Sequence, residues 1–348
     1  MLILQVDADT RFVDYNKIVD VCQLRPGDRL FTTDGRYATI HRISTSQTQT
    51  VTLCLQDGRN LRVPYQTFVD CRILSSGDCA APKSLRAEDV FSRIGIQKRN
   101  TYCQSRRFFP TLEDREFLID PYWVGAMLGD GTLIRGNLKI ATDIEIQERM
   151  LKTMPSSFRI KQKCQIKTCV KSNFVSDNPK DYRRWNDELV RLKLCGCTAI
   201  DKFIPEEYLV CSVSQRLALL QGLMDTDGAG SATGGTSYST ISEQLASDMQ
   251  RLIRSLGGLC ALRRFDIPSE QDSKIVARHP YYLCKIRYPD YQEIFYLPRK
   301  KRLHVGKSGY SKYRIELAEE QGTTVDSVVM ELDQPGAFLT DSGIALCT

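Results

Sequence analysis

Two aspartates, Asp130 and Asp227, end two similar segments of this chain, residues 123–131 and 220–228. Each segment is an apolar run with an internal glycine, and in each the aspartate is followed directly by glycine. A repeated segment with one carboxylate per copy indicates two half-domains that bring their acids together. Adjacent carboxylates repel each other and attract a divalent cation, and Mg²⁺ prefers oxygen ligands. The pair therefore predicts a metal site suited to phosphodiester hydrolysis.

The internal glycines, Gly125 and Gly222, indicate how the two acids meet. Because glycine has no Cβ, two helices can pack closely there, and parallel packing places both C-terminal acids side by side. Asp225 has Leu128 at the matching place in the first segment, so we expect it to cap its own helix or to pack at the helix interface. The residues predicted to hold the metal, Mg²⁺ or Mn²⁺, are Asp130, Asp227, Gly129 and Thr226.

The composition is that of an ordinary folded protein with 348 residues, of which 42% are hydrophobic and 26% charged. This length is enough for two or three domains. No apolar run approaches the roughly 18–20 residues that span a bilayer, and the first residues lack a basic leader, so we expect an intracellular, cytoplasmic protein. The 13 cysteines include one close pair, Cys195 and Cys197, which favours reduced, mostly buried thiols over a zinc site.

The net charge of +6 is unevenly distributed. Basic residues cluster without an acid in residues 299–314, and in residues 159–171 they alternate with apolar residues. Alternation with period two predicts a strand with one basic face, and two such clusters favour nucleic acid as the partner. The predicted DNA contacts are Arg135, Lys139, Arg159, Lys161, Lys163, Lys167, Arg263, Arg264, Lys285, Arg287 and Lys301.

The remaining pattern predicts the elements that would position these groups. Residues 1–85 have short apolar runs separated by turn clusters, an all-β pattern, and residues 306–348 return to it. Residues 86–118 are polar and form a predicted connector with a possible DNA contact. Between them, residues 119–200 and 201–305 repeat the order helix, two strands, helix, two strands, helix. We therefore predict an α+β fold in which a repeated α/β domain interrupts a mostly-β domain.

The paired segments resemble the signature of the LAGLIDADG homing endonucleases, specifically those embedded in inteins. The residues that carry the resemblance are Leu220, Gly222, Leu223, Asp225, Asp227 and Gly228 in the second copy, Gly125, Asp130 and Gly131 in the first, and Lys202 and Pro205 between them. It implies a pseudo-symmetric αββαββα fold whose strands enter the DNA major groove as β-ribbons. Two unlike halves imply a monomer that reads a long asymmetric site in double-stranded DNA.

The same resemblance implies a lysine beside each acid. Lys202 matches the first position, and by pseudo-symmetry Lys300 is the candidate for the second. Asp130, Asp227, Lys202 and Lys300 are the predicted catalytic residues. Either lysine could instead make a phosphate contact.

The flanks resemble the self-splicing Hint domain of inteins, with its reactive residues replaced. Splicing needs a thiol or hydroxyl nucleophile, a histidine to activate the peptide bond and an asparagine that cyclises. The residues at the matching positions are Gln5, Pro64, Thr67, Gly336, Cys347 and Thr348. Gln5 has no thiol or hydroxyl for the attack, Thr67 has no imidazole and Thr348 has no amide that can cyclise, so we predict that splicing is lost.

The sequence therefore predicts a site-specific endonuclease that makes a magnesium-dependent double-strand break. Two alternatives remain open: a DNA-binding regulator or RNA maturase that does not cleave, and a still-active intein. Retention of both Asp130 and Asp227 disfavours the binding protein, because a pure binder has no need of paired negative charges beside DNA.

Overall fold

The computed structural model comprises two compact units, Met1–Leu112 with Lys312–Thr348, and Glu113–Ser311. It describes residues 2–14, 17–55, 58–71, 73–74, 83–96, 102–103, 113–134, 137–166, 169–230, 236–266, 279–288, 290–302, 315–341 and 344–348. Every helix within these ranges is too short or too polar to cross a lipid bilayer.

The first unit is mostly β, and strands from both ends of the sequence share its sheets. Its main sheet consists of β1 (Leu2–Asp7), β4 (Arg29–Phe31), β5 (Tyr37–Leu55), β6 (Asn60–Pro64) and β19 (Ile315–Leu332). Their order is β1-β19-β5-β4, with β6 paired to β5. A second sheet has β20 (Ala337–Leu339), β21 (Ala345–Cys347), β7 (Phe68–Cys71) and β9 (Lys83–Arg86) in that order.

The other elements of this unit are small. They are the paired strands β2 (Arg11–Asp14) and β3 (Lys17–Asp20), the paired strands β8 (Ile73–Leu74) and β10 (Tyr102–Cys103), a 3₁₀ turn (Val21–Gln23) and the helix α1 (Ala87–Ile96). Helix α1 falls within the residues predicted as a connector. Buried side chains alternate along the main strands, as Leu4 and Val6 do on β1 and Val51 and Leu53 on β5.

The second unit is a mixture of helices and strands in which one order of elements occurs twice. The first half consists of α2 (Pro121–Asp130), β11 (Gly131–Ile134), β12 (Asn137–Asp143), α3 (Ile144–Leu151), β13 (Phe158–Ile166), β14 (Cys169–Ser176) and α4 (Pro179–Arg191). A short helix, α5 (Glu206–Leu209), precedes the second half. The second half consists of α6 (Val213–Thr226), β15 (Gly228–Gly230), β16 (Thr236–Thr240), α7 (Glu243–Ser255), β17 (Leu259–Phe265), β18 (Tyr281–Arg287) and α8 (Pro298–Arg302).

The two sheets of this unit have the same topology. One has the order β11-β12-β14-β13 and the other β15-β16-β18-β17, and all neighbouring strands are antiparallel. In both, the first strand follows directly from a motif helix, so the acid at the helix end lies at the start of the sheet. The elements agree in kind and order with those expected from the sequence.

Local sequence signals set the beginnings of the two motif helices. Asp120 accepts hydrogen bonds from the backbone nitrogens of Tyr122 and Trp123, and Pro121 occupies the first turn of α2, where it loses no helical hydrogen bond. Ser212 and Gln215 form a reciprocal capping box at the start of α6. Both helices are therefore fixed at the end opposite the acids.

The core of the second unit lies between the motif helices and the inner faces of the two sheets. Trp123 of α2 is fully buried, and its ring meets the ring of Trp185 edge to face, with 5.4 Å between ring centroids. Leu128 is also buried. The first motif helix therefore packs fully despite its weaker match to the signature.

Candidate active site

The two motif helices approach closely at their internal glycines. A Cβ added to Gly125 would lie 2.2 Å from the carbonyl oxygen of Leu219, and one added to Gly222 would lie 2.2 Å from that of Tyr122. Real Cβ atoms do not come this near, so neither position tolerates a side chain at this helix spacing. Close packing of the two helices at Gly125 and Gly222, as predicted from the sequence, is confirmed.

The acids lie where the two helices end together. Asp130 is the last residue of α2, and Asp227 directly follows α6. A Cβ on Gly129 would lie 2.0 Å from the Oγ1 atom of Thr226 and 3.4 Å from the Oδ2 atom of Asp227. The end of one motif helix is thus in contact distance of the acid that follows the other.

The protein around these carboxyls makes their charged forms costly. Burial of the carboxyl and, to a smaller extent, the charge of Asp130 together raise the pKa of Asp227 to about 6, although the residue as a whole remains exposed. Burial also raises the pKa of Asp130, and a hydrogen bond from Thr142 opposes that rise. The positive charges of Lys202 and Lys300 lower both pKa values in part. Paired acids of this kind favour an additional cation.

Lys202 lies at the end of α2. Its Nζ atom donates to the carbonyl oxygens of Met127 at 3.3 Å, Gly129 at 2.7 Å and Gly131 at 3.1 Å. Lys202 is buried, with 7% of its surface exposed. Burial lowers the pKa of Lys202, and the charges of Asp227 and Asp130 oppose that fall.

Lys300 has the matching contacts at the end of α6. Its Nζ atom donates to the carbonyl oxygens of Met224 at 2.8 Å, Thr226 at 3.3 Å and Gly228 at 2.9 Å. Burial lowers the pKa of Lys300 to about 8, and the charges of Asp225 and Asp227 oppose that fall. Each ammonium group therefore donates to three carbonyls at and just beyond a helix C-terminus, where a positive charge is favourable.

The donor set fits a divalent cation at the level of its chemistry. Asp130 and Asp227 offer carboxylate oxygens, the ligand type that Mg²⁺ and Mn²⁺ take. The carbonyls of Gly129 and Thr226 each already accept a lysine hydrogen bond, and a carbonyl oxygen has a second lone pair for a ligand. Among the residues that the structure describes, no group of three or more His, Cys, Asp or Glu side chains could hold a metal. Water and phosphate oxygens would have to complete the coordination.

Asp225 packs at the interface of the two helices. It is buried and accepts a hydrogen bond from the Tyr122 hydroxyl of α2 at 2.9 Å. It also accepts from the backbone nitrogens of Tyr296 and Leu297. Burial raises the pKa of Asp225 to about 6, and these hydrogen bonds oppose the rise.

Two residues near the acids were missed from the sequence. Thr142, at the end of β12, hydrogen bonds to Asp130. The hydroxyl of Tyr238 on β16 is buried and has no hydrogen-bond partner among the described residues, and burial together with the charges of Asp227 and Asp130 raises its pKa. No motif marks either residue, because the folding of a later strand brings each one back to the helix ends.

The outer face of the first sheet carries most of its predicted DNA contacts. Strand register places Lys139, Asn173 and Lys161 in one row across β12, β14 and β13. Arg159 and Lys163 are also exposed on β13, where Lys163 occupies a bulge between Gln162 and Cys164. Arg159 is paired with Asp177. Arg135 and Lys167 lie outside the described residues.

The second sheet divides its predicted contacts between its two faces. Lys285 lies opposite Ser237 and Ala261, and Arg263 and Arg287 have the same outward parity. Arg264 has the opposite parity, because adjacent strand residues point to opposite faces. It lies across from Tyr282, whose hydroxyl contacts Glu243 of α7. The structure therefore does not bring Arg264 to the outer face. The last predicted contact, Lys301, is half-buried on α8.

The predicted splicing positions of the first unit meet in two places. The Thr67 hydroxyl donates to the carbonyl oxygen of Gln5 at 2.5 Å, and the Gln5 amide donates to Ser327 at 2.9 Å. The backbone nitrogen of Thr348 donates to the carbonyl oxygen of Gly336 at 3.2 Å. Cys347 pairs with Phe68 across β21 and β7, and Pro64 pairs with Thr50 across β6 and β5.

Comparisons with known proteins give partial matches. No family model matches the chain. It is 34% identical over 166 residues to the replicative DNA helicase DnaB of Mycobacterium intracellulare, a match that covers 48% of this chain and 24% of the helicase. The chain thus spans about a quarter of that relative's length.

Solved structures similar to this chain include a homing endonuclease and an intein. The homing endonuclease I-DmoI matches with a TM-score of 0.32 and 13% identity, covering 49% of this chain and 88% of I-DmoI. One I-DmoI structure contains its target DNA in the presence of magnesium. The gp41-1 intein matches with a TM-score of 0.19 and 13% identity, covering 24% of this chain and 76% of the intein.

Proposed function

We propose that this chain is a site-specific DNA endonuclease that uses a divalent metal ion to hydrolyse both strands of a long asymmetric site. The observation that carries the proposal is the convergence of Asp130 and Asp227 at the ends of two glycine-packed helices, with a lysine ammonium bound to the carbonyls of each helix end. Two desolvated carboxylates close to each other are unfavourable, and groups with perturbed pKa values are typical of a reactive site.

Asp130 and Asp227 would hold Mg²⁺ or Mn²⁺ between the two halves, with the Gly129 and Thr226 carbonyls as further candidate ligands. A bound divalent ion lowers the pKa of a coordinated water and stabilises charge on phosphate oxygens. The raised pKa of Asp227 means that the pair binds a cation most favourably once both carboxyls are ionised.

Lys202 and Lys300 would act in this site as positioned positive charges. Each ammonium group is fixed by three carbonyl oxygens, so neither rotates freely to carry a proton between solvent and substrate. A fixed positive charge close to the acids stabilises the negative charge that develops on a phosphate during hydrolysis. It also limits the mutual repulsion of Asp130 and Asp227.

DNA would bind on the outer faces of the two sheets. The Lys139–Asn173–Lys161 row and the outward residues Arg263, Lys285 and Arg287 provide cationic donors for phosphates and base edges. Because the two faces carry different side chains, a single chain would read an asymmetric sequence. We propose that it acts as a monomer on double-stranded DNA inside the cell.

We propose that the first unit is a Hint-like domain that no longer splices. The Gln5 side chain is an amide, which cannot replace the attacking thiol or hydroxyl, and Thr67 is a hydrogen-bond donor to Gln5 and not a base. The chain's single Gly-Lys-Ser sequence, at residues 306–308, lacks the earlier glycine of the nucleotide-binding loop. The helicase relative's own activity is therefore not part of the proposal.

The test is a cleavage selection on duplex DNA with randomised inserts. The purified chain is incubated with Mg²⁺, Mn²⁺, Ca²⁺ or a chelator, and the ends of the cut molecules are sequenced. Asp130→Asn and Asp227→Asn are each expected to abolish double-strand cleavage while DNA binding persists. Asp187→Asn, an exposed acid of α4, is the matched control with the same change of charge.

Specific binding without any cleavage in Mg²⁺ or Mn²⁺ would replace this proposal with the regulator or maturase. A host protein that is shortened by excision of this chain and religated would instead support the still-active intein. If Asp187→Asn loses cleavage as fully as Asp227→Asn, the paired acids have no special role.

A further inference from the structure

Asp225 connects three parts of the second unit that lie far apart in the sequence. It belongs to α6, its Oδ2 atom accepts from the Tyr122 hydroxyl of α2, and both carboxylate oxygens accept from the backbone of Tyr296. Its Oδ1 atom also accepts from the backbone nitrogen of Leu297 at 3.2 Å. A buried carboxylate with this many donors holds them in a fixed geometry.

The backbone that Asp225 holds leads directly into Lys300. The backbone nitrogen of Lys300 donates to the carbonyl oxygen of Leu297 at 3.1 Å. The Lys300 ammonium then reaches back to the carbonyls of Met224 and Thr226, the residues on either side of Asp225. Residues 297–300 thus form a closed connection that starts and ends on the last turn of α6.

Arg149 of α3 strengthens the same place. Its guanidinium carbon lies 4.8 Å from the ring centroid of Tyr296 and 5.4 Å from that of Tyr122. The two tyrosine rings also meet edge to face, with 5.6 Å between centroids. Tyr296, whose backbone nitrogen donates to Asp225, is therefore also held by side-chain contacts with Arg149 and Tyr122 of the first half.

Lys202 is positioned by a different set of groups. Its backbone carbonyl oxygen accepts from the Ser242 hydroxyl at 2.6 Å. Two residues later, the backbone nitrogen of Ile204 donates to the Asp248 carboxylate at 2.9 Å. Ser242 caps the start of α7, and Asp248 lies within the same helix. Leu128, which matches Asp225 in the first motif, cannot accept a hydrogen bond.

We infer that Asp225 is a positioning residue that fixes Lys300, and only Lys300, at the paired acids. The inference rests on the proposed function for its effect on cleavage but not for its effect on the position of Lys300. It assigns the single extra acid of the second motif to the placement of one lysine. Metal binding is left to Asp130 and Asp227.

The test compares the reactivity of the two lysines in the full chain without DNA. An amine-specific methylating reagent is applied, and the modification rates of Lys300 and Lys202 are measured by mass spectrometry. Asp225→Leu, which copies Leu128, is expected to raise the rate at Lys300 about tenfold and to leave Lys202 unchanged, because local opening becomes easier when a buried anchor is lost. Asp225→Asn retains an amide oxygen for the two backbone donors and is expected to keep most of the protection.

Two further variants separate positioning from general loosening. Tyr122→Phe removes one donor to Asp225 but keeps the backbone anchors, so Lys300 should stay protected. Asp248→Asn weakens the anchor of the Lys202 segment and should raise the rate at Lys202 alone. Equal exposure of both lysines in Asp225→Leu, or no change at either, would overturn the inference.

Strand-specific cleavage gives the functional counterpart. With a different dye on each strand of a cleaved duplex, Asp225→Leu is expected to slow the cutting of one strand about tenfold relative to the other, and Asp225→Asn to restore the balance. Proportional slowing of both strands contradicts the inference. If the unmutated chain cuts no DNA, the proposed function fails, and the lysine reactivities still decide the role of Asp225.

Discussion

The two halves of the second unit reach the same arrangement of backbone with different side chains. In each, a lysine ammonium binds three carbonyls at the end of a motif helix, and an aspartate lies beside it. The anchors differ, since Lys300 depends on Asp225 of its own motif, whereas Lys202 depends on Ser242 and Asp248 of α7. The backbone of the repeat is thus symmetric, but the support of its charges is not.

A second difference lies beneath the acids. Register places Ile140 opposite Gly131 in the first sheet and Tyr238 opposite Gly228 in the second. Only the second half therefore has a buried hydroxyl at this position. The two carboxylates lie in unlike surroundings, as do their lysines, so the halves are expected to respond unequally to substitution.

Among the tests that compare the two halves, the largest expected effect comes from removing either lysine. Lys202→Met and Lys300→Met should each slow cleavage at least about 100-fold, because a positioned charge near the reacting phosphate is lost. The rates of nicking of the two labelled strands, measured in a single turnover, check this. If the halves act independently, each variant should spare the opposite strand.

Lys301→Met is the control, since Lys301 neighbours Lys300 on α8, whereas the three hydrogen bonds to the end of α6 among the described residues come from Lys300. Cleavage by Lys202→Met at the unmutated rate would show that the first lysine has only a structural role.

The next effect concerns the close contact of the two motif helices, whose loss should destabilise the protein equally from either half. Gly125→Ala and Gly222→Ala should each destabilise the second unit by about 3 kcal/mol, because either Cβ would overlap a backbone carbonyl of the other helix. The chain's two tryptophans, Trp123 and Trp185, both lie in this unit, so tryptophan fluorescence during denaturation reports its unfolding.

Val190→Ala, at an exposed position of α4, provides the control for this comparison and should change stability little. A large difference between the two glycine variants would mean that one helix can shift and the other cannot.

A smaller effect is expected from the pH dependence of stability. The pKa of Asp227 is about 6 in the folded chain and 3.8 when unperturbed, so the folded state binds more protons between these values and loses stability as pH rises through them. Asp227→Asn should remove this loss. In chelator, we expect the variant to gain about 1 kcal/mol over the unmutated chain on going from near pH 4 to about pH 7, after allowance for solvent access.

Asp130→Asn should change stability in the same direction, since burial also raises the pKa of Asp130. The free energies of unfolding are measured by chemical denaturation. A difference between each variant and the unmutated chain that stays constant across this pH range would contradict the proposed cost of ionising these acids.

The smallest effects concern individual phosphate contacts. Lys161→Ala and Lys285→Ala should each reduce the slope of log affinity against log salt by about 1, because each removes one outward cation. Arg264→Ala should leave the slope unchanged, since its strand parity places it on the α7 side. Fluorescence anisotropy over a salt series measures all three, and an equal loss for Arg264→Ala would contradict the assignment of faces.

Strand and helix order could be predicted because it depends on short-range periodicity. The order helix, two strands, helix, two strands, helix, expected twice from the sequence, agrees with the order found from α2 to α4 and from α6 to α8. Side-chain parity was harder, since Arg263 and Arg264 were both predicted as DNA contacts before pairing showed which one faces outward. Residues such as Thr142 and Tyr238 carry no local signal, because their role depends on the folding of a later strand against an earlier helix end.

The sequence alone determined the helix contact and the identity of the acids. Gly125 and Gly222 permit the close approach of two helices, and an aspartate followed by glycine ends each motif helix at the same place. Tertiary structure alone decided what surrounds them. It brought Lys300 onto the carbonyls of Met224 and Thr226 and tied its segment to Asp225, because contacts between residues so distant in sequence form only when the packed core brings them together.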